Sequence, residues 1–306
     1  MEAKVSIFLL ILKQYFLFLN KNYMKLIGFT CTYNEAEMVP YVMPYVERMG
    51  YDKFIVYDNE STDNTVELLK QYPFVEVRTY KTNGEFNNTE RIKMAYTVYG
   101  EAYKMANVGK NNEELVWLTI TDFDEVLFFA TKTATSIKDF LYYRYYTFGE
   151  NYFNNTMLNL FPKNGSFIHP SYRKEYNFVH LDPNIMASYW TIYGDKTTIF
   201  AVNDFYYYET CKGFHWTVFK MRKNRTLKTL SDSGEVFGFH LKFINKDILY
   251  KKHESYKERQ SGYRASLDSI YDSLYTTQFK LENYFLQIPF MFNLNKSKDC
   301  GIRIIE

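Results

Sequence analysis

A chain of 306 residues is long enough for one large domain or two ordinary ones. Its net charge of +2, with 24% charged residues, gives no sign of a nucleic-acid surface or of a disordered, solvating tail. Three scattered cysteines, Cys31, Cys211 and Cys300, show neither metal-ligand spacing nor a disulfide framework, so a reducing compartment is expected.

The chain opens on "VSIFLLILKQYFLFL", which is apolar but is broken by Lys13 and Gln14. It falls short of the roughly 20 apolar residues of a spanning helix, and no small-residue cleavage site follows. We read residues 1–23 as an extension and Met24 as the start of the fold; a membrane-surface or signal-anchor segment is the competing use. From Lys25 strands and helices alternate. "KLIGFTCTY" is a buried strand ending at Asn34 and Glu35, and helical spacing runs over 36–49 up to Gly50. "KFIVYD" (53–58) is the second strand, "NESTDNT" a loop, and 63–72 a helix closed by Pro73. "FVEVRTY" (74–80) is the third strand, a long helix spans about Thr89 to Met105, and "ELVWLTITDFD" (114–124) is the fourth strand.

This rhythm implies βαβ units and a mostly parallel sheet covered by helices, an α/β fold. Ligands of such sheets bind outside the carboxyl ends of the strands. The polar clusters lie there: Thr30 to Glu35, Asp58 to Thr65, and Asp122 to Glu125. Beyond residue 130 the alternation fades into a short helix over 136–147, short strands with turns over 150–245, and terminal helices with a basic face. The 20% aromatic share, 30 Tyr and 27 Phe, supplies amphipathic rings suited to flat, partly polar ligands; a composition bias is the plainer explanation. With no linker or repeat, 24–130 and 131–306 read as two halves of one domain.

On an extended segment Asp122 and Asp124 point the same way, since side chains alternate with period two. Two such carboxylates suit a hard divalent cation, Mg²⁺ or Mn²⁺, that takes the rest of its shell from phosphate oxygens. A solvated acidic turn is the alternative.

Together, "TCTYNEAEMVPYVMPYVERMGYDKFIVYDNESTDNT" and "DFDEVL" resemble the nucleotide-sugar-binding half of family 2-type glycosyltransferases of the GT-A fold, in the subgroup with a "YNE" loop, a "D-N-x-S-x-D" loop and a "D-x-DE" metal motif. The resemblance covers about residues 24–130 and continues more weakly through "GFHW" and "FGFHLKFINKDILYKKHESYKER". It implies a GT-A sheet with an irregular aromatic-rich acceptor half and C-terminal helices. Thr32, Asn34 and Glu35 would lie beside the nucleotide, Asp58 would bond the base, and Asn59 and Ser61 would line that edge. Arg91 would stand near the donor, Asp122 would touch the sugar or ribose and join the metal site, and Asp124 would hold the metal. Glu125 reads as support, and Asp63 as a helix cap. A late histidine commonly completes the metal site: His240 fits best, His215 second, with Trp216 beside it as a stacking surface for sugar. Lys196 and some of Lys251, Lys252 and Lys257 are placed to face a diphosphate, although a solvated basic face is the simpler reading for the helix. A general base for the acceptor is sought downstream, at Asp204 or Glu209, with Asp195 third.

The expectation is a metal-dependent glycosyltransferase using Mn²⁺ or Mg²⁺ and a nucleoside-diphosphate sugar, UDP-linked, with a glycan or glycolipid acceptor and inversion, in cell-surface glycan synthesis. No nucleic-acid partner is implied. A cytoplasmic location is expected, with peripheral membrane association as its variant. The rival readings are a nucleotidyltransferase, disfavoured because "TCTYNEAE" has no Gly-rich basic loop, and a non-catalytic carbohydrate-binding or scaffold protein on the same fold.

Overall fold

The computed structural model of the chain describes residues 24–83, 85–131, 134, 136–155, 157–159, 196–210, 214, 217–222, 226, 236–241, 246–259 and 303–304. The extension over 1–23, and His169, His180, Asp195, His215 and Trp216, lie outside them; of Lys196 and His253 only the backbone is described.

A six-stranded sheet forms the centre. Its strands are β1 (Met24–Thr32), β2 (Lys53–Asp58), β3 (Val75–Thr79), β4 (Leu115–Ile120), β8 (Lys196–Ala201) and β6 (Tyr152–Asn155), in the order β3-β2-β1-β4-β8-β6. The first four are mutually parallel, while β8 runs antiparallel to both its neighbours. The chain steps outward from β1 to β3 and then crosses back to place β4 on the other side of β1. That reversal opens a crevice at the carboxyl ends of β1 and β4.

Helices α1 (Val39–Arg48) and α2 (Thr65–Leu69) follow β1 and β2, α3 (Asn88–Met105) follows β3, and α4 (Ile137–Phe148) follows β5 (Glu125–Thr131). Alternation along the strands feeds two cores. Phe54 and Val56 pack with Val42, Met43 and Val46 of α1, whereas Ile55 and Tyr57 pack with Ala95, Val98 and Ala102 of α3. Each large apolar side chain removed from water contributes about 1.5–3 kcal/mol. Small residues at 95 and 102 let α3 lie close to the sheet. The helix starts where the Asn87 side chain accepts from the Thr89 and Glu90 amides, which fixes the position of Arg91 one turn on.

The fourth strand departs from expectation. It ends at Ile120, and Thr121 to Asp124 form a turn, closed by the Glu125 amide donating to the Asp122 carbonyl at 3.1 Å. The chain then continues as β5, a strand absent from the sequence reading. In a second sheet β5 pairs antiparallel with β11 (Val236–His240), in a register that sets His240 opposite Glu125, and β7 (Met157–Asn159) and β12 (Arg303–Ile304) flank the pair. The second helix is also shorter than the 63–72 expected, spanning Thr65–Leu69 only. Of the basic helices expected near the end of the chain, the described residues hold α5 (Lys246–Arg259). No helix among the described residues is long and apolar enough to cross a membrane.

Candidate active site

Three loops at the carboxyl edge are tied to one another. Thr32 and Asp58 stand opposite on β1 and β2, and the Thr32 hydroxyl donates to Asp58 Oδ1 at 3.3 Å. Asp58 also accepts from the Ser61 amide at 2.9 Å and its hydroxyl at 2.5 Å, which folds the second loop back on itself. The Asn34 amide donates to Ser61 Oγ at 2.8 Å, and Asn34 Oδ1 accepts from the Thr62 amide at 2.8 Å. Asp63 accepts from the amides of Thr65 and Ala36, so it joins the second helix to the first loop. Asn59 reaches the other way, accepting from the Thr82 hydroxyl at 3.0 Å. Asn34 and Glu60 hold left-handed backbone, φ 51° and 58°, a conformation that non-glycine residues adopt at a cost and that clusters at functional sites.

The acids after β4 do not share one direction, because they lie in the turn rather than on extended chain. Asp122 turns to Arg91, whose Nη2 donates to its Oδ1. Arg91 is buried, with its guanidinium between the rings of Phe86 and Phe214 at 5.1 and 4.9 Å from their centroids. It acts here as a clamp on Asp122. Glu125 closes the turn, its Oε2 accepting from the Asp122 amide at 2.9 Å.

Asp124 turns instead to the second sheet and to α5. Its carbonyl accepts from the Leu241 amide at 2.7 Å, which seats the end of β11. Its Oδ2 lies 3.3 Å from His240 Nε2 and 3.1 Å from Lys252 Nζ. The same ammonium lies 2.6 Å from Glu35 Oε1. Burial opposes ionisation of Asp124, yet Lys252 and His240 hold its carboxyl well below the usual range. Glu35 shifts the other way: burial pushes its carboxyl up to about 7 against the pull of Lys252, with Asp124 adding repulsion. Beneath the site, burial raises the Cys31 thiol to about 12, so it is a packed side chain and not a nucleophile.

Glu35, Asp58, Arg91, Asp122, Asp124 and His240 are thus gathered at one edge, with Thr32, Asn34, Asn59 and Ser61 building its loops. Asp204 is not brought there. It is buried near the amino end of β4, where Asn203 Oδ1 accepts from the Val116 amide, and its carboxylate accepts from Tyr145 Oη at 2.9 Å and Asn151 Nδ2 at 2.8 Å. Six residues of strand separate that end from Asp122, about 20 Å. Glu209 lies on β9 (Phe205–Thr210), half-buried, and accepts from Tyr207 Oη at 2.5 Å. That strand pairs antiparallel with β10 (Thr217–Met221) and packs on α3, where Tyr99 bonds the Phe205 carbonyl and both Tyr99 and Tyr96 meet the Tyr208 ring; Phe214 beyond it rests on Arg91.

The sequence put Lys252 among the lysines of a basic helix and gave no sign that it meets Asp124 and Glu35, and it did not single out Tyr33 or Arg259. The Arg259 guanidinium sits over the Tyr33 ring, 3.4 Å from its centroid, and its carbonyl accepts from the Phe86 amide at 3.1 Å. Helix α5 therefore crosses the mouth of the site. The available signal was Ile248 four residues before Lys252, since that spacing puts both on one helical face.

Among the described residues no three His, Cys, Asp or Glu side chains form a metal-holding group. Asp124 and His240 do converge, and one carboxylate with one imidazole fits a hard divalent cation that draws the rest of its shell from a diphosphate.

A mostly parallel sheet with a switch point, acids at its carboxyl edge and helices on both faces defines a Rossmann-like α/β scaffold. The sequence matches glycosyltransferase family 92 over residues 30–264, and the chain belongs to that family. It is a glycosyltransferase. The match carries glycosyl transfer; it does not carry the family 2-type label to which the motifs were likened. No curated protein matches. Two solved structures of 4-diphosphocytidyl-2C-methyl-D-erythritol synthase are remotely similar. One is 9% identical with a TM-score of 0.29, covering 58% of this chain and 74% of that one. The other, from Anaerococcus prevotii, is 11% identical with a TM-score of 0.23, covering 83% and 84%.

Proposed function

We propose that the enzyme transfers a sugar from a nucleoside-diphosphate donor, UDP-linked, to a hydroxyl of a glycan or glycolipid, with inversion and with Mn²⁺ or Mg²⁺ at Asp124. The observation that carries this reading is the convergence of Asp58, Asp122, Asp124 and His240 on the switch-point crevice. Residues 24–130 supply the donor half and residues 131–306 the acceptor side. A cytoplasmic setting in cell-surface glycan synthesis belongs to the same reading.

The nucleoside lies along the loops of Thr32, Asn34 and Asp58, with Asn59 and Ser61 at its edge. Asp58 accepts from the base, and Asp122, held by Arg91, faces the ribose or sugar. Asp124 and His240 would hold the cation, which would supply Lewis-acid stabilisation to the departing diphosphate. The acceptor oxygen attacks the anomeric carbon as the bond from that carbon to the diphosphate breaks, and a base takes the acceptor proton. Of the three acids read for that role, Glu209 is retained, because the chain beyond its strand reaches Arg91 at Phe214 whereas Asp204 is enclosed elsewhere; Asp195 keeps its third place from the sequence. Lys196, His215 and Trp216 keep their roles from the sequence resemblance.

Thermal unfolding tests the donor reading. UDP with Mn²⁺ raises the melting temperature of the wild-type protein, because a ligand that binds only the folded state stabilises it. Asp58→Ala removes most of that rise. An equal rise in the variant places the nucleotide elsewhere.

A further inference from the structure

Lys252 is on the inward side of a helix whose other lysines read as a solvated face. Ile248, one turn earlier, is buried in the core with Phe123, Val126 and Leu241 and fixes that side of α5 against the acidic turn. The Lys252 side chain is 15% exposed, whereas Lys251 beside it is 67% exposed and pairs with Glu37 at the rim. The Lys252 ammonium stands between two buried carboxylates, Glu35 and Asp124, with the His240 ring against the same Asp124 oxygen.

That oxygen is the one that faces His240, so it is where the proposed cation enters. A divalent cation sits about 2.1 Å from a carboxylate oxygen. Held there, it would stand within a few ångströms of the ammonium, and like charges at that separation repel strongly wherever water is excluded. The two cations are therefore alternatives. Lysine suits such an exchange, being a point charge on a flexible four-carbon stem rather than a fixed fork.

Resting on the donor-and-metal reading above, we propose that Lys252 is the resident counter-ion of the acidic centre, displaced from Asp124 by the entering divalent cation and turned toward the donor's diphosphate. The lysine offsets the charge of Asp124 and bonds Glu35 while the crevice is empty. Once displaced, it swings on its own four-carbon stem and carries its charge to the leaving group that the cation also binds, while Ile248 keeps α5 seated.

Mn²⁺ alone is the probe, titrated by calorimetry or by electron paramagnetic resonance. Lys252→Met, which removes the competitor, binds Mn²⁺ at least tenfold more tightly than the wild type. Unchanged or weaker binding overturns the proposal. Asp124→Asn separates the two claims. If the wild type binds Mn²⁺ through Asp124 but Lys252→Met gains nothing, the exchange is wrong and the metal site stands. If Asp124→Asn leaves binding intact, or no variant binds, the metal placement fails and the exchange falls with it. A second measurement needs no variant. With an amine-acylating reagent and mass spectrometry, Lys252 of the wild type labels several-fold faster with Mn²⁺ than without, while Lys251 is unchanged. Equal rates at Lys252 contradict displacement.

Discussion

Asp124 and Glu35 share one ammonium and are driven in opposite directions. Asp124 keeps its charge, held by Lys252 and His240, and burial raises Glu35 to about 7. A carboxyl raised from 4.5 to about 7 on folding favours the fold at low pH, and that contribution is lost as pH rises through the window. Glu35→Gln removes the loss. Its melting temperature, measured against the wild type, therefore gains steadily between pH 4.5 and 7, by the equivalent of roughly 1–3 kcal/mol. A flat difference across that range contradicts the shift. Asp122 and Asp124 show where residue spacing misleads. The period-two rule holds on extended chain, and these two stand in a turn, so one meets Arg91 and the other Lys252. The clamp predicts that Arg91→Met lowers kcat/KM about 10- to 100-fold, in line with other residues that orient a site's ligands. Steady-state kinetics check this, with Arg91→Lys recovering part of the loss.

The first four strands were legible because each is an apolar run bounded by turn residues. Their order was not, since the crossing from β3 back to β4 is set by packing between distant segments. β5 was missed because "VLFFAT" continues straight from the acidic turn, and composition alone gives no sign of a reversal. Asp204 looked available in sequence; its partners Tyr145 and Asn151 lie more than fifty positions away. Within β1, Gly28 makes room for the ring of Phe54. An added Cβ would stand 2.2 Å from Phe54 Cδ2 and 2.9 Å from Tyr51 Cε1. Gly28→Ala therefore costs about 1–3 kcal/mol, as overpacking does. Chemical denaturation measures it as a lower midpoint with an unchanged slope.

Across the whole molecule the two larger sheets and α5 bring groups from distant parts of the chain to the crevice between β1 and β4. His240 arrives through the pairing of β11 with β5, and Lys252 through a helix seated by Ile248 in the core. The loops of this edge were readable as motifs, but the long-range ion pairs were not, because nothing local marks residues 128 positions apart as neighbours. Glycosyl transfer follows from the family, and the site assigns it to this edge by proposal. The most direct measurement is turnover of a panel of UDP- and GDP-linked sugars, with and without Mn²⁺, by the wild type and by Asp124→Ala. Turnover of a UDP-sugar that needs Mn²⁺ and falls at least about 100-fold in Asp124→Ala is the expected result. Turnover that ignores the metal and survives Asp124→Ala contradicts the placement of the donor site at this turn.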